Sequence, residues 1–295
     1  MKTLDGIKLA KEIKAEIKQK VSEYTQNQRA PHLAAVLVGE NPASKAYVGM
    51  KIKDCEQVGF QSTLCKKDEN ITEQELLDLI HELNQDETLD GFIVQLPLPK
   101  HIDEEKILLA IDPKKDVDGF HPQNVGRMTL GMETFLPATP YGIMRLLKRY
   151  EVPTAGKHCV VIGRSHIVGR PMSILMSEKT NPGNSTVTLC HSGTKDLEKF
   201  TKDADIIIAA LGRAEFLKAD MVKEGVTVVD VGINRVEDPE SPKGYKLVGD
   251  VDYEAVAPKC EFITPVPGGV GPMTRAMLLE NTLLAYERFY LNKYS

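Results

Sequence analysis

Cys159-Val-Val-Ile-Gly-Arg-Ser-His-Ile-Val-Gly169 is a run of apolar, strand-forming residues broken by a glycine turn, from which a helix is expected to continue through Met176. A strand, a tight turn and a helix N-terminus in that order bring backbone N–H groups and the positive end of the helix dipole to one point, where a pyrophosphate is held well. The spacing departs from GxGxxG, because Ser165 stands where the second glycine would be and Gly169 comes later. Taken alone, the turn leaves dinucleotide binding open. On its C-terminal side lie further apolar runs, TVTLC, DIIIAALG, TVVDVGIN and Phe262 to Pro265. On its N-terminal side helical and extended patterns alternate, with a helix from Leu9 to Tyr24, LAAVLVG, a helix through Tyr47 to Val58, QSTLCKK, a helix from Thr72 to Asn84, and GFIVQLPLP. Such alternation predicts an α/β protein built from βαβ units with a parallel sheet.

The proline-opened helix PATPYGIMRLLKRY, before the strand GKHCVVIG, marks a domain boundary. The expected division is 1–138 plus 274–295 for a first α/β domain and 139–273 for a Rossmann-like domain. The last helix, Met273 to Tyr290, with Met277, Leu284 and Phe289 as its apolar face, is expected to return to the first domain.

With 295 residues, 37 basic and 42 acidic side chains and a net charge of −5, the composition points to a small-molecule ligand rather than nucleic acid or membrane. Cys55, Cys65, Cys159, Cys190 and Cys260 are scattered and lack metal-ligand spacing, and are read as reduced core thiols of a cytoplasmic protein with no metal. No stretch is apolar over the length of a membrane span. Glutamates interleave with the lysines of the first helix, which argues against a transit peptide.

Two features refine the ligand. The strand after the nucleotide turn ends Leu189-Cys-His191-Ser192, with no acid for a ribose 2′-hydroxyl, while Arg164 beside the turn suits a 2′-phosphate, so NADP is preferred to NAD. An exposed Arg164 paired to a surface carboxylate is the plain alternative. Phe262 to Thr274 carries Pro265, Pro267, Pro272, Gly268, Gly269 and Gly271 without a charge, and reads as a stiff loop that meets a flat ligand or as a tight strand-to-helix connection.

Candidate chemistry lies earlier in the chain. Tyr47 and Lys51 stand at i and i+4 on one helix face, although a solvated lysine is the usual reading of such a position. Gln95 interrupts the apolar strand Phe92-Ile-Val-Gln-Leu-Pro97, and a buried amide needs partners. Lys115-Asp-Val-Asp-Gly119 presents two carboxylates at a glycine turn, with no His or further acid to complete a metal site.

Together, Tyr47-x-x-x-Lys51, Val94-Gln-Leu-Pro-Leu-Pro99, Lys115-Asp-Val-Asp-Gly119, Gly163-Arg-Ser165, Asp230-Val-Gly-Ile-Asn234 and Pro265-Val-Pro-Gly-Gly-Val-Gly-Pro-Met273 resemble the bifunctional methylenetetrahydrofolate dehydrogenase/cyclohydrolase family over nearly the whole chain. The resemblance implies a folate-facing first domain, an NADP domain, a cleft between them and a homodimer. It also implies that Lys51 is the principal acid/base group, that Tyr47 stacks near the pterin, that Gln95 orients Lys51 and that Asp118 binds the pterin. Val94, Leu96, Pro265, Pro267, Gly268, Gly269, Val270 and Gly271 would line the folate site. Gly163, Arg164, Ser165, Gly169, His191 and Ser192 would hold the cofactor, with Ile233 against the nicotinamide. The implied activity is oxidation of 5,10-methylenetetrahydrofolate followed by hydrolysis to 10-formyltetrahydrofolate. An amino-acid or shikimate-type dehydrogenase remains an alternative by fold analogy alone, and a non-catalytic NADP-binding regulator is the alternative from another class.

Overall fold

The computed structural model describes residues 1–241 and 244–292, which form two compact units. One comprises Lys11–Ala138 and the chain from Arg275 on; the other comprises Met1–Ala10 and Thr139–Thr274. The chain opens with β1 (Lys2–Thr3) and helix Gly6–Tyr24, then alternates β2 (His32–Val38), helix Pro42–Val58, β3 (Gln61–Lys67), helix Glu73–Gln85 and β4 (Gly91–Val94). These last three strands form a parallel sheet in the order β3-β2-β4. β2 and β4 are apolar and buried along almost their whole length, as expected of strands covered on both faces. β3 is a largely exposed edge that ends in Lys66 and Lys67, charges that discourage edge-to-edge pairing. Cys65 on this edge is only half-buried, whereas the other four cysteines are buried as expected; all five are free thiols.

Helix Pro42–Val58 starts where Asn41 accepts the N–H groups of Ala43 and Ser44, with Pro42 in the first turn, and stops at Gly59, which adopts φ 84°. Its buried face runs through Ser44, Val48, Lys51, Asp54, Cys55 and Val58, so helical spacing alone carries Lys51 inward. The later half of this unit holds two short helices that the sequence pattern did not announce, Glu104–Leu109 and Pro122–Thr129.

The other unit centres on a six-stranded sheet built from β1 with β5 (His158–Ile162), β6 (Thr186–Cys190), β7 (Ile206–Ala209), β8 (Val226–Asp230) and β11 (Cys260–Ile263), in the order β1-β11-β8-β7-β5-β6. A separate antiparallel ribbon joins β9 (Asn234–Glu237) to β10 (Tyr245–Val248). All pairings in the large sheet are parallel.

Three expectations are corrected. Residues 1–10, assigned from sequence to the first domain, pack with the six-stranded unit because Lys2 and Thr3 pair with Phe262 and Ile263, and Asp5 N donates to Tyr150 Oη at 3.1 Å. The last helix begins at Val270, not Met273, since Pro272 falls in its first turn, where a missing N–H costs nothing. Its expected apolar face also shifts: Met277 is buried, but Phe289 is exposed and Tyr286, in a π-helical turn Tyr286–Tyr290, is enclosed instead. From Arg275 the helix belongs to the three-stranded unit, where Asn281 Nδ2 donates to Val117 O at 2.8 Å and Leu136 O at 2.9 Å.

Candidate functional site

In the three-stranded unit, Lys51, Tyr47 and Gln95 come together. Lys51 is 6% exposed, its Nζ donates to Gln95 Oε1 at 3.2 Å and lies 5.0 Å from the Tyr47 ring centroid. Gln95 sits one residue past β4; its N–H continues the ladder to Val36 O at 2.9 Å, and its Nε2 donates to Leu96 O at 2.7 Å. That bond fixes the amide with its oxygen toward the lysine. Burial pushes the Lys51 amine below its ordinary 10.5, and the negative charge of Asp118 opposes the shift only in part.

Asp118 is half-buried, and its backbone carbonyl accepts from Ala138 N at 3.3 Å. The companion acid does different work. Asp116 is buried and accepts from Phe120 N, His121 N and Asn124 Nδ2, at 3.2, 2.8 and 2.8 Å, and burial pushes it up to about 6. It ties down the turn that presents Asp118. Gly119, at φ 75°, closes that turn, where a Cβ would stand 2.6 Å from Leu136 C.

In the six-stranded unit, Gly163 ends β5 at φ 119°, and a Cβ there would lie 2.1 Å from Ala210 O. Gly169 starts helix Gly169–Ser177, and its missing Cβ lets that helix close on Gly163 O, 2.0 Å from the ideal Cβ position. Ser165, standing in for the second glycine, accepts from Val168 N at 3.2 Å and Gly169 N at 3.3 Å and so holds the turn. Arg164 and Ser192 are exposed, while His191 is half-buried and accepts from Gly193 N at 3.1 Å through Nδ1. The segment after β6 carries no acid before Asp196.

The proline-glycine loop packs within this same unit. Gly268, at φ 113°, accepts from Ile7 N at 3.1 Å, and a Cβ on Gly6 would stand 1.7 Å from Gly269 O. Ile233 is 60% exposed, with its Cδ1 3.6 Å from where a Cβ of Gly271 would be.

Sequence reasoning missed Asp250. It is fully buried and accepts from Leu211 N, Gly212 N, Arg213 N and Asn234 Nδ2 at 2.6–2.9 Å. Asp230, quoted in a motif but given no role, accepts from Gly232 N, Asp250 N and Val251 N at 2.8–3.0 Å, and burial pushes it up to about 7. The one sequence signal for Asp250 is an acid within the apolar run Leu247-Val-Gly-Asp-Val251. Among the described residues no group of His, Cys, Asp and Glu is arranged to hold a metal.

A parallel sheet whose β5 runs into a glycine turn at a helix start, accompanied by a unit carrying a desolvated lysine, is an arrangement that suits a nucleotide-dependent enzyme. Family comparison is more specific: residues 4–118 match the tetrahydrofolate dehydrogenase/cyclohydrolase catalytic domain, and residues 137–290 match the NAD(P)-binding domain of the same family. The chain belongs to the tetrahydrofolate dehydrogenase/cyclohydrolase family. It is 70% identical to the bifunctional protein FolD of Flavobacterium johnsoniae, covering 97% of each chain. The crystal structure of the Campylobacter jejuni bifunctional FolD enzyme superposes with a TM-score of 0.92 at 52% identity, covering 98% of this chain and 99% of that one. The Trypanosoma brucei enzyme, solved with NADP cofactor and inhibitor, gives a TM-score of 0.91 at 36% identity over 96% of both chains.

Proposed function

We propose that this chain oxidises 5,10-methylenetetrahydrofolate to 5,10-methenyltetrahydrofolate with NADP and hydrolyses that product to 10-formyltetrahydrofolate. The observation that carries the reading is the buried Lys51 amine, aimed by Gln95, in a chain of this family. The three-stranded unit serves as the folate-binding domain and the six-stranded unit as the cofactor domain. Family membership displaces the amino-acid and shikimate-type alternatives, and an active-site lysine held in this way speaks against a silent regulator.

Asp118 accepts the adjacent N–H donors of the pterin 2-amino-4-oxo edge as charge-assisted bonds, which orient the ring as well as hold it. Tyr47 offers an aromatic face for stacking, and Val94 and Leu96 line the folate site beside it. For the cofactor, the glycine turn fits a pyrophosphate, because Gly163 and Gly169 leave the backbone bare at the start of a helix. Arg164 and Ser165, with His191 and Ser192 after β6, meet the 2′-phosphorylated ribose, and the absence of an acid there favours NADP. When bound, NADP supplies the two-electron acceptor for hydride. Holding the one-carbon bridge in reacting geometry is then the protein's main contribution to the first step.

The second step needs proton movement. Water adds to the methenyl carbon and gives one proton to the neutral Lys51 amine; Lys51 returns that proton to N5 as the bond from the carbon to N5 breaks, and the remaining hydroxyl proton leaves to solvent as the formyl C=O forms, so one proton is released overall. Desolvation lowers the proton affinity of Lys51 and so raises the share of the amine that is neutral. Gln95 Oε1 fixes the direction of the amine.

The reading includes a cytoplasmic homodimer without nucleic-acid or membrane partners. In its support, no helix among the described residues is long and apolar enough to cross a membrane. Light scattering at twice the chain mass checks the dimer. The activity is tested by mixing purified protein with 5,10-methylenetetrahydrofolate and NADP, or NAD, and following reduced cofactor with methenyl absorbance. Reduced NADP with little methenyl build-up is expected. Accumulating methenyl product would remove the hydrolytic role of Lys51, and no reduction with either cofactor would overturn the assignment.

A further inference from the structure

Two carboxylates of the six-stranded unit are engaged wholly by the protein, and they do so at the ligand-binding end of its sheet. β7 and β8 are neighbours in register, Ala209 opposite Asp230, so the loops that leave them start side by side at the carboxyl ends of parallel strands. β5, with the Gly163 turn, lies on the other side of β7. Ligands of open α/β sheets bind along this edge.

We propose that Asp250, seated on Asp230, is a positioning residue for hydride transfer, fixing the Leu211–Arg213 loop against the Val231–Asn234 loop and thereby placing Ile233 against the nicotinamide half of the cofactor. The inference rests on the NADP-dependent reading above. Asp250 Oδ2 accepts from Leu211 N at 2.6 Å and Gly212 N at 2.9 Å, while Oδ1 accepts from Arg213 N and Asn234 Nδ2, both at 2.9 Å. Three consecutive amides of the loop that follows β7 therefore curl around Asp250, and the fourth donor comes from the residue next to Ile233. Asp250 is itself held, because its N–H donates to Asp230 Oδ1 at 2.8 Å, the oxygen that also accepts Gly232 N at 3.0 Å.

Glycine makes the approach possible. A Cβ on Gly232 would stand 2.2 Å from Asp250 Oδ1, and one on Gly249 would stand 1.8 Å from Asp230 Oδ2. At 0% and 2% exposure neither acid meets ligand, so their effect reaches the cofactor only through the loops. Only a carboxylate suits the place of Asp250: it receives four donors, and an amide nitrogen would face two of them with N–H groups of its own.

The test is Asp250→Asn in the full chain, with Asn234→Ala as a milder variant that removes one donor. For Asp250→Asn, dehydrogenase kcat/KM for NADP should fall about tenfold or more. Binding of 2′,5′-ADP, which reports the Gly163 turn, and hydrolysis of methenyltetrahydrofolate without NADP should each stay within about twofold, the scale of a negligible free-energy change. Asn234→Ala should give a smaller selective fall of about threefold, and it carries the test alone if Asp250→Asn does not fold. An unchanged dehydrogenase in the folded variants would overturn the proposal. A parallel fall in 2′,5′-ADP binding and hydrolysis would do so too, as it would mark a merely structural acid. If the unsubstituted chain neither reduced NADP nor hydrolysed the methenyl compound, the functional reading itself would fall, an outcome visible before any variant is made.

Discussion

The two units bury ionisable side chains under opposite regimes. In the three-stranded unit Lys51 has a single hydrogen-bond partner among the described residues, Gln95, and desolvation lowers its proton affinity. In the six-stranded unit Asp250 is buried still more completely, yet four donors surround it. A buried amine with one partner is poised to exchange a proton, whereas a side chain ringed by four donors holds their loops in place and shapes what lies around it. Asp116 and Asp118 differ within one motif: the first is buried and holds the turn, and the second remains half-exposed.

Removing the poised group gives the sharpest test of that contrast. Lys51→Met should lower hydrolysis of methenyltetrahydrofolate by about 10³-fold, the usual range for a lost general acid/base, while NADP affinity by titration is unchanged. Retained hydrolysis would place the proton chemistry elsewhere. Next, Asp118→Ala should weaken folate binding by about 10²-fold through two lost charge-assisted bonds, depressing both activities together. Unchanged folate affinity would show that Asp118 is scaffolding, like Asp116.

On the other side, Gly163→Ala introduces a Cβ against the Ala210 carbonyl at a φ that L-residues rarely adopt. A stability loss of about 1–3 kcal/mol is expected by denaturant titration. NADP affinity should fall with it, because the backbone of the turn has to move. A variant as stable as the parent, with full NADP affinity, would mean that this close approach is dispensable.

The smallest effect separates the regimes by pH. Since the folded-state pKa of Lys51 is depressed, the folded chain holds fewer protons than the unfolded chain between that value and 10.5, and stability from this group rises with pH across the window. Replacing it with Met should therefore raise the thermal midpoint at pH 7, by about 2–4 °C for each kcal/mol of relieved desolvation. The gain should shrink as pH approaches 10.5. A gain that is constant with pH would attribute it to packing instead.

Much of the fold was legible because its strands are buried on both faces and so appear as unbroken apolar runs, as in DIIIAALG and LAAVLVG. The inward face of Lys51 follows from helical spacing with Val48 and Cys55. Other parts depend on partners distant in the chain. Lys2 and Thr3 are exposed and polar, and nothing local marks them as a strand until Phe262 and Ile263 are beside them. Asp250 looks like any acid after a glycine, since its meaning lies in amides contributed by residues 211–213. The start of the last helix was obscured because glycine and proline, which usually break helices, here occupy the one turn that tolerates them.

The interleaving of the two units has a consequence for how the chain is made. Because Lys2 and Thr3 pair with Phe262 and Ile263 of β11, β1 emerges from the ribosome long before the strand it pairs with. At cellular elongation rates that interval is on the order of ten seconds or more, during which neither unit has all of its chain. Synthesis of this protein therefore ends with a late, long-range closure, and a fragment cut at Thr139 to liberate the cofactor unit would leave β11 as a naked edge, prone to pair with its neighbours in solution.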